Sequence, residues 1–190
     1  MMKALVMQKK RRRWAYLILS VFLQLFLGLI YAWSVFRVPL EQEFGWSNSG
    51  TSLTFSISMI MFCLGGLISG VLTARKGMRT TLILAAVLLA SGFGLASQIT
   101  SLVGIYLTYG GMAGLGVGLG YNAVISTIMR WFPDKQGLVS GIALMGFGFG
   151  AMILGTAGAS LIVLAGWRMT FVLIAASYAV VIALAIVILR

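Results

Sequence analysis

Long apolar runs separated by short polar connections account for most of this sequence. A bilayer core of about 30 Å requires about 20 apolar residues per helix, so runs of this length are candidate membrane spans. Interruptions by charges, proline and polar clusters leave six runs, which cover residues 14–36, 49–74, 80–97, 102–128, 138–164 and 170–189. The pattern predicts an all-α membrane protein with six transmembrane helices, in which residues 1–13 form a basic tail and residues 14–190 the transmembrane domain.

The composition supports a lipid environment and excludes most catalytic chemistry. Of the 190 residues, 61% are hydrophobic and only 9% are charged, whereas soluble domains carry roughly 25% charged residues. Histidine is absent, and the acidic residues are Glu41, Glu43 and Asp134 alone. A histidine-based triad or a histidine or carboxylate metal cluster therefore has no residues to form it, so we expect no enzyme and no cofactor.

The positive charges concentrate on one side of the predicted membrane. Twelve of the fourteen lysines and arginines lie in the tail, in the second and fourth connections and at the C-terminus, while Arg37 and Arg168 lie in the others. The positive-inside rule then places both termini in the cytoplasm of a multi-pass cell-membrane protein. The net charge of +11 thus indicates a lipid-bilayer partner and no nucleic acid. No charged residue falls inside a predicted span, which argues against a self-contained ion pump.

The two halves of the chain share several short patterns at an offset near ninety residues. The pairs are Gly28-Leu29-x-Tyr31 with Gly118-Leu119-x-Tyr121, Ser49-Gly50 with Ser140-Gly141, and Gly77-x-Arg79-x-Thr81 with Gly166-x-Arg168-x-Thr170. Their order is the same in both halves. They predict a 3+3 repeat, and three spans per unit make the second unit inverted in the membrane.

Polar residues within the spans are the candidates for a binding site. Gln24 and Tyr31 are seven residues apart and share a helix face, where Gln24 either forms a buried hydrogen bond between helices or lines water. Tyr31 and Tyr121 are equivalent in the repeat, and each either lines a cavity or packs at an interface. Asn122 adjoins Tyr121 and has the same alternatives. Glycines spaced by four in the fourth and fifth spans favour close helix packing over a nucleotide loop.

Several motifs resemble those of major facilitator superfamily transporters, specifically the N-terminal six-helix half. The connection Gly70-x3-Ala74-Arg75-x-Gly77-x-Arg79 is similar to the cytoplasmic loop motif of that superfamily. More narrowly, four segments resemble the oxalate/formate antiporter family, which is related to the monocarboxylate transporters. They are Gly28-x2-Tyr31-Ala32-Trp33-Ser34, Phe44-Gly45-Trp46-Ser47, Gly118-x-Gly120-Tyr121 and Arg130-Trp131-Phe132-Pro133-Asp134-Lys135-x-Gly137.

The resemblance implies a secondary active transporter that works by alternating access, an antiporter of small mono- or dicarboxylates. Tyr31 and Tyr121 match tyrosines that contact the carboxylate, with Gln24, Asn122 and Phe147 as further candidates for the substrate site. Phe147 occupies a position where the family has a tyrosine, and Ile30 one where the oxalate carrier has a glutamine, so oxalate itself is not implied.

The resemblance also implies a second six-helix half, because family members have twelve spans and carry the cations for a dianion in their second half. That half would be the rest of a longer chain or another copy of this one. Two alternatives remain open: a truncated or partner membrane module that does not transport, and a transporter of an uncharged solute.

Overall fold

The computed structural model describes residues 2–188, with side chains described for residues 13–187, and all regular secondary structure in this range is helical. The elements in chain order are α1 (Met2–Leu27), a 3₁₀ segment (Gly28–Ala32), α2 (Trp33–Phe44), α3 (Asn48–Ala96), α4 (Leu102–Ile105), a π-helical segment (Tyr106–Ala113), α5 (Gly114–Trp131) and α6 (Gln136–Ile188). The predicted all-α class is confirmed. The basic tail is not separated from the first span, since α1 continues through residue 13.

Among the described residues, four helical stretches are long and apolar enough to cross a membrane, where the sequence predicts six. They are Arg13–Phe44, Asn48–Ala96, Leu102–Trp131 and Gln136–Val187. The difference arises because the predicted connections after residues 74 and 164 are themselves helical. Helix α3 has 49 residues, equivalent to about 74 Å of straight helix, which is more than twice the thickness of a bilayer core.

A single glycine interrupts each of the two longest helices. Gly77 has φ 82° and ψ 162°, and Gly166 has φ 79° and ψ 161°, a conformation that residues with a Cβ rarely adopt. The hydroxyls of Thr73 and Thr81 lie 3.0 Å apart across Gly77, although eight residues of straight helix rise about 12 Å. The backbone therefore folds back on itself at Gly77.

The contacts on the two sides of each glycine run in opposite directions along the neighbouring helices. Before Gly77, the residue numbers of the two contacting residues increase together, as in the pairs Ser58–Gly114 and Phe62–Gly118. After Gly77, one number increases while the other decreases, as in the pairs Ala85–Gly120, Leu89–Gly116 and Gly92–Ala113. The same reversal relates α6 to the first helical stretch, in the pairs Val21–Gly146, Leu25–Gly150, Phe36–Gly158, Phe36–Phe171 and Phe26–Tyr178. Each long helix thus consists of two antiparallel arms.

Glycines bring the helix backbones into direct contact in the centre of this bundle. A Cβ at Gly28 would lie 1.9 Å from the carbonyl oxygen of Phe147, and one at Gly150 would lie 2.2 Å from that of Leu25. No side chain fits in such a gap, so α1 and α6 approach each other through backbone atoms. A Cβ at the neighbouring Gly148 would instead have no atom within 4 Å and would face open space.

We predict that Gly150→Ala destabilises the chain while Gly148→Ala does not. The added methyl of Gly150→Ala must displace the α1 backbone, and overpacking of this kind costs about 1–3 kcal/mol. Gly148→Ala adds the same methyl to the same helix without a neighbour. Thermal unfolding in detergent measures both variants; equal melting temperatures would contradict the close backbone contact.

Charged side chains tie both ends of the first helical stretch to later parts of the chain. Arg13 forms an ion pair with Asp134, and its guanidinium carbon lies 4.4 Å from the centre of the Phe132 ring. At the opposite end, Arg168 Nη2 lies 3.1 Å from Glu43 Oε1, and the Trp167 indole donates a hydrogen bond to the same carboxylate. These two ion-pair clusters fix the first helical stretch against the connections that flank the first arm of α6.

The ion pair at Asp134 should make stability depend on pH. The hydrogen bond from Arg13 holds the pKa of the Asp134 carboxyl below its ordinary value. Stabilisation from a lowered pKa is present above the unfolded-state pKa and is lost as pH falls through the folded-state pKa. We expect Asp134→Asn to lower the melting temperature at about pH 7, and the difference from the wild type to shrink progressively as the pH falls below the ordinary pKa of aspartate. A difference that persists unchanged in acid would show that the carboxylate charge is irrelevant.

Candidate functional site

Two irregular helix segments meet at the middle of the bundle. The 3₁₀ segment Gly28–Ala32 interrupts the first helical stretch, and the π-helical segment Tyr106–Ala113 precedes α5. The Tyr109 hydroxyl donates a 2.9 Å hydrogen bond to the carbonyl oxygen of Ile30, which joins the two segments. Irregular turns inside long helices often mark functional positions. Tyr31, a predicted substrate contact, lies in the 3₁₀ segment.

Tyr31, Tyr121 and Phe147 form one aromatic cluster. The sequence proposes all three as candidates for one substrate site. The Phe147 ring lies 5.4 Å from that of Tyr31 and 4.8 Å from that of Tyr121. Phe62 joins the cluster, with its ring centre 5.4 Å from that of Tyr121. Phe55 contacts Tyr31 at 6.1 Å. Phe147 is buried and separates the two tyrosines, whereas Tyr31 is 42% exposed.

The tyrosines of the chain divide into two groups by what their hydroxyls contact. Tyr106, Tyr109 and Tyr178 each donate a hydrogen bond to a backbone carbonyl oxygen. Among the described residues, no hydrogen bond joins the hydroxyl of Tyr31 or Tyr121 to an acceptor or donor, although both rings pack against that of Phe147. A polar group in a membrane protein requires a partner, so these two hydroxyls are available to one that is not part of the described chain.

Gln24 lies behind the cluster and not within the open space beside it. Its side chain is fully buried, and Nε2 donates a 3.4 Å hydrogen bond to the backbone carbonyl oxygen of Tyr121. Its Oε1 is buried without a hydrogen-bond partner among the described residues. In this conformation Gln24 contacts the backbone that carries Tyr121 and has no surface to offer a ligand.

Asn122 and the loop motif lie further along the bundle. The Asn122 amide donates a 2.6 Å hydrogen bond to the Gly66 carbonyl oxygen, so it holds α5 against α3. Of the loop-motif residues, Gly70 lies close to this amide, and Arg75 and Arg79 are exposed on either side of Gly77. Thirteen residues of helix, a rise of about 20 Å, separate Phe62 from Arg75. The loop motif is therefore distinct from the aromatic cluster.

Tyr31 lines a cavity, one of the two alternatives that the sequence left open for it, but the place of Arg37 in that cavity was not predicted. The volume of the cavity is about 350 Å³, and it is lined by the aromatic residues Tyr31, Trp33 and Phe55 and the polar residues Ser34, Arg37, Ser52 and Ser56. From the sequence, Arg37 is a connection charge on the non-cytoplasmic side. The spacing of the polar lining residues was the one signal for this cavity in the sequence. Ser34 and Arg37 are three residues apart and Ser52 and Ser56 are four apart, so each pair shares one helix face.

A sequence model of the Major Facilitator Superfamily matches residues 17–190. The chain belongs to this superfamily. Among curated relatives, the uncharacterized MFS-type transporter YhjX of Escherichia coli is 29% identical over 86% of the chain and 41% of the relative. The oxalate:formate antiporter of Oxalobacter formigenes is 30% identical over 74% of the chain and 34% of the relative. Mouse monocarboxylate transporter 12 is 34% identical over 71% of the chain and 28% of the relative.

The superfamily fold is also evident in a solved structure. The inward-open xylose transporter XylE of E. coli superimposes with a TM-score of 0.70 at 20% identity, over 90% of the chain and 48% of XylE. At this identity the likeness concerns the fold alone. Superfamily membership confirms the sequence-based resemblance and a multi-pass membrane location. The chain spans less than half the length of these relatives.

The two groups of tyrosines predict different effects on stability. Tyr109→Phe leaves the Ile30 carbonyl oxygen without its donor and should lower the free energy of unfolding by about 1 kcal/mol. Tyr31→Phe removes a hydroxyl that has no partner in the described chain and should leave stability unchanged. Thermal unfolding of the two purified variants tests this. A loss of stability in Tyr31→Phe would reveal a structural hydrogen bond at that hydroxyl.

Proposed function

We propose that this chain is the N-terminal six-span half of a secondary active transporter for small mono- or dicarboxylates, which exchanges them by alternating access. Tyr31 and Tyr121 donate hydrogen bonds to the substrate carboxylate. Phe147 sets the separation of their rings, and Gln24 and Asn122 position α5 through contacts with backbone carbonyls. The related oxalate:formate antiporter and monocarboxylate transporters support the substrate class.

The observation that carries this proposal is the pair of hydroxyls without partners on either side of Phe147. Carboxylates are acceptors only, and hydrogen bonds to a charged group are stronger than those between neutral groups. Two phenolic donors held on separate helices can contact one small carboxylate from two sides. Phe62 and Phe147 surround them with apolar surface, which strengthens such hydrogen bonds by excluding water.

Six spans in a 3+3 inverted repeat are supported by matching backbone contacts in the two halves. Gly28 abuts the Phe147 carbonyl oxygen just as Gly118 abuts that of Phe62. The glycine that reverses α3 and the one that reverses α6 have nearly equal backbone angles. With each long helix counted as two spans, both termini lie on the same side, which the excess of positive charge makes cytoplasmic.

A second six-helix half would supply the cations that the aromatic cluster does not contact in the described part of this chain. No lysine or arginine contacts the Tyr31, Tyr121 and Phe147 rings among the described residues. The charge of a carboxylate would then be matched by cations from the other half, as the family resemblance implies. The share of the relatives that the chain spans is consistent with this arrangement.

A carrier for an uncharged solute is the second candidate, favoured by the aromatic and uncharged character of the cluster. A membrane module that does not transport is the third. Formamide separates the first two possibilities because it has nearly the shape of formate without its charge.

Exchange of radiolabelled formate or oxalate in proteoliposomes tests the proposal when this chain is assembled with its second six-helix half, whether that half is the rest of a longer chain or another copy. Tyr31→Phe combined with Tyr121→Phe should lower the affinity for carboxylate by about tenfold or more, because both charge-assisted hydrogen bonds are lost. Tyr106→Phe is the matched control, since it removes a hydroxyl that donates to the Gly50 carbonyl oxygen outside the cluster.

Unchanged affinity in the double variant would overturn the site. Competition by formamide equal to that by formate would favour the uncharged solute. Absence of both binding and exchange with the second six-helix half present would favour the module that does not transport.

A further inference from the structure

The cavity beside Tyr31 contains a second set of polar groups without partners. Ser34 and Ser56 line it, and the hydroxyl of neither forms a hydrogen bond with any described residue. Other serines in these helices, such as Ser58 and Ser69, donate instead to backbone carbonyl oxygens. With Tyr31, three residues whose hydroxyls have no hydrogen-bond partner in the described chain thus line one open space.

Arg37 adds a positive charge to the same cavity. Its Nη1 contacts Asn48 Oδ1 and Ser52 Oγ, each at 3.3 Å. Its Nε lies 3.4 Å from Glu41 Oε1 without the geometry of a hydrogen bond. No acceptor contacts Nη2 in the described part of the chain. The guanidinium is therefore held in place on one side and available on the other.

The balance of charge in the cavity favours an anion. Among the described residues that line it, Arg37 is the only ionisable one besides Tyr31, and none is a carboxylate. Glu41 compensates part of the arginine charge from outside the cavity, through a contact that is not hydrogen-bonded. The remaining lining groups that lack partners are hydroxyl donors, which suit an acceptor-only ligand. A volume of about 350 Å³ is at the small end of ligand pockets.

We infer that this cavity is an entry site, on the non-cytoplasmic side, where a small carboxylate binds to Arg37, Ser34 and Ser56 before it reaches Tyr31 and Tyr121. The inference rests on the proposed transport function. Six residues of helix, a rise of about 9 Å, separate Arg37 from Tyr31, and Tyr31 belongs to both the cavity and the aromatic cluster. Tyr31 would pass the carboxylate from one site to the other.

A thiol introduced into the cavity can report whether the site is occupied. The chain has one cysteine, Cys63, so Cys63→Ser combined with Phe55→Cys leaves a single thiol among the lining residues and keeps Arg37, Ser34 and Ser56 in place. The purified full chain in nanodiscs of zwitterionic lipid is treated with an anionic methanethiosulfonate reagent. Added oxalate or formate should slow the modification by at least about fivefold, because a bound carboxylate occupies the space next to the thiol.

The matched variants are Arg37→Gln and Arg168→Gln. Both arginines pair with a glutamate of α2, but only Arg37 lines the cavity. Arg37→Gln should abolish the protection and Arg168→Gln should retain it, while Arg37→Lys should retain part of it. If Arg37→Gln does not fold, as judged by thermal unfolding, Ser34→Val serves instead, since it removes a lining hydroxyl that has no structural partner and should also weaken the protection.

The outcomes separate this site from the proposed function. Tyr121→Phe, which does not alter the lining, should lower exchange yet leave the protection intact. Exchange that depends on the tyrosines without any carboxylate protection would overturn the entry site alone. Equal loss of protection in Arg37→Gln and Arg168→Gln would show a general surface-charge effect and would also overturn it. Protection that appears with anionic lipid but not with added carboxylate would assign the cavity to a lipid headgroup instead.

Discussion

The close approach of helix backbones through glycine is the contact on which the rest of the structure depends. Gly28 against Phe147 and Gly118 against Phe62 place carbonyl oxygens where any larger residue would need its Cβ. These contacts fix Tyr31 and Tyr121, each three residues after its glycine, at matching positions around Phe147. In a membrane, where lipid provides no hydrophobic drive between helices, such van der Waals contact is a main source of association. The geometry of the aromatic cluster follows from it.

Much of the architecture could be predicted because lipid imposes a simple pattern on sequence. Apolar runs marked the membrane segments, and the offset near ninety residues paired Tyr31 with Tyr121 from the sequence alone. The continuity of α3 and α6 could not be predicted in the same way. Charges and glycine usually end a helix, yet at Gly77 and Gly166 one residue with positive φ reverses the chain while helical hydrogen bonding resumes at once.

The candidate site was harder to predict than the fold, for a physical reason. A polar residue in the middle of a span has several possible partners, and the sequence does not show which one it finds. Gln24 donates a hydrogen bond to the Tyr121 backbone and is buried, whereas the Tyr31 hydroxyl has no hydrogen-bond partner in the described part of the chain and Tyr31 is exposed. Arg37 was assigned to a connection because charges break the apolar pattern. Only the tertiary structure shows that α2 extends past it and brings it to Ser52 of α3.

The two ion-pair clusters at the ends of the first helical stretch have a mechanical consequence. Arg13 with Asp134 and Arg168 with Glu43 hold this helix at both ends, while Gly28 and Gly150 hold it in the middle. A helix that is held at three points along its length does not rotate independently of the elements that hold it. The first helical stretch should therefore move together with the elements that hold it, as one stiff body.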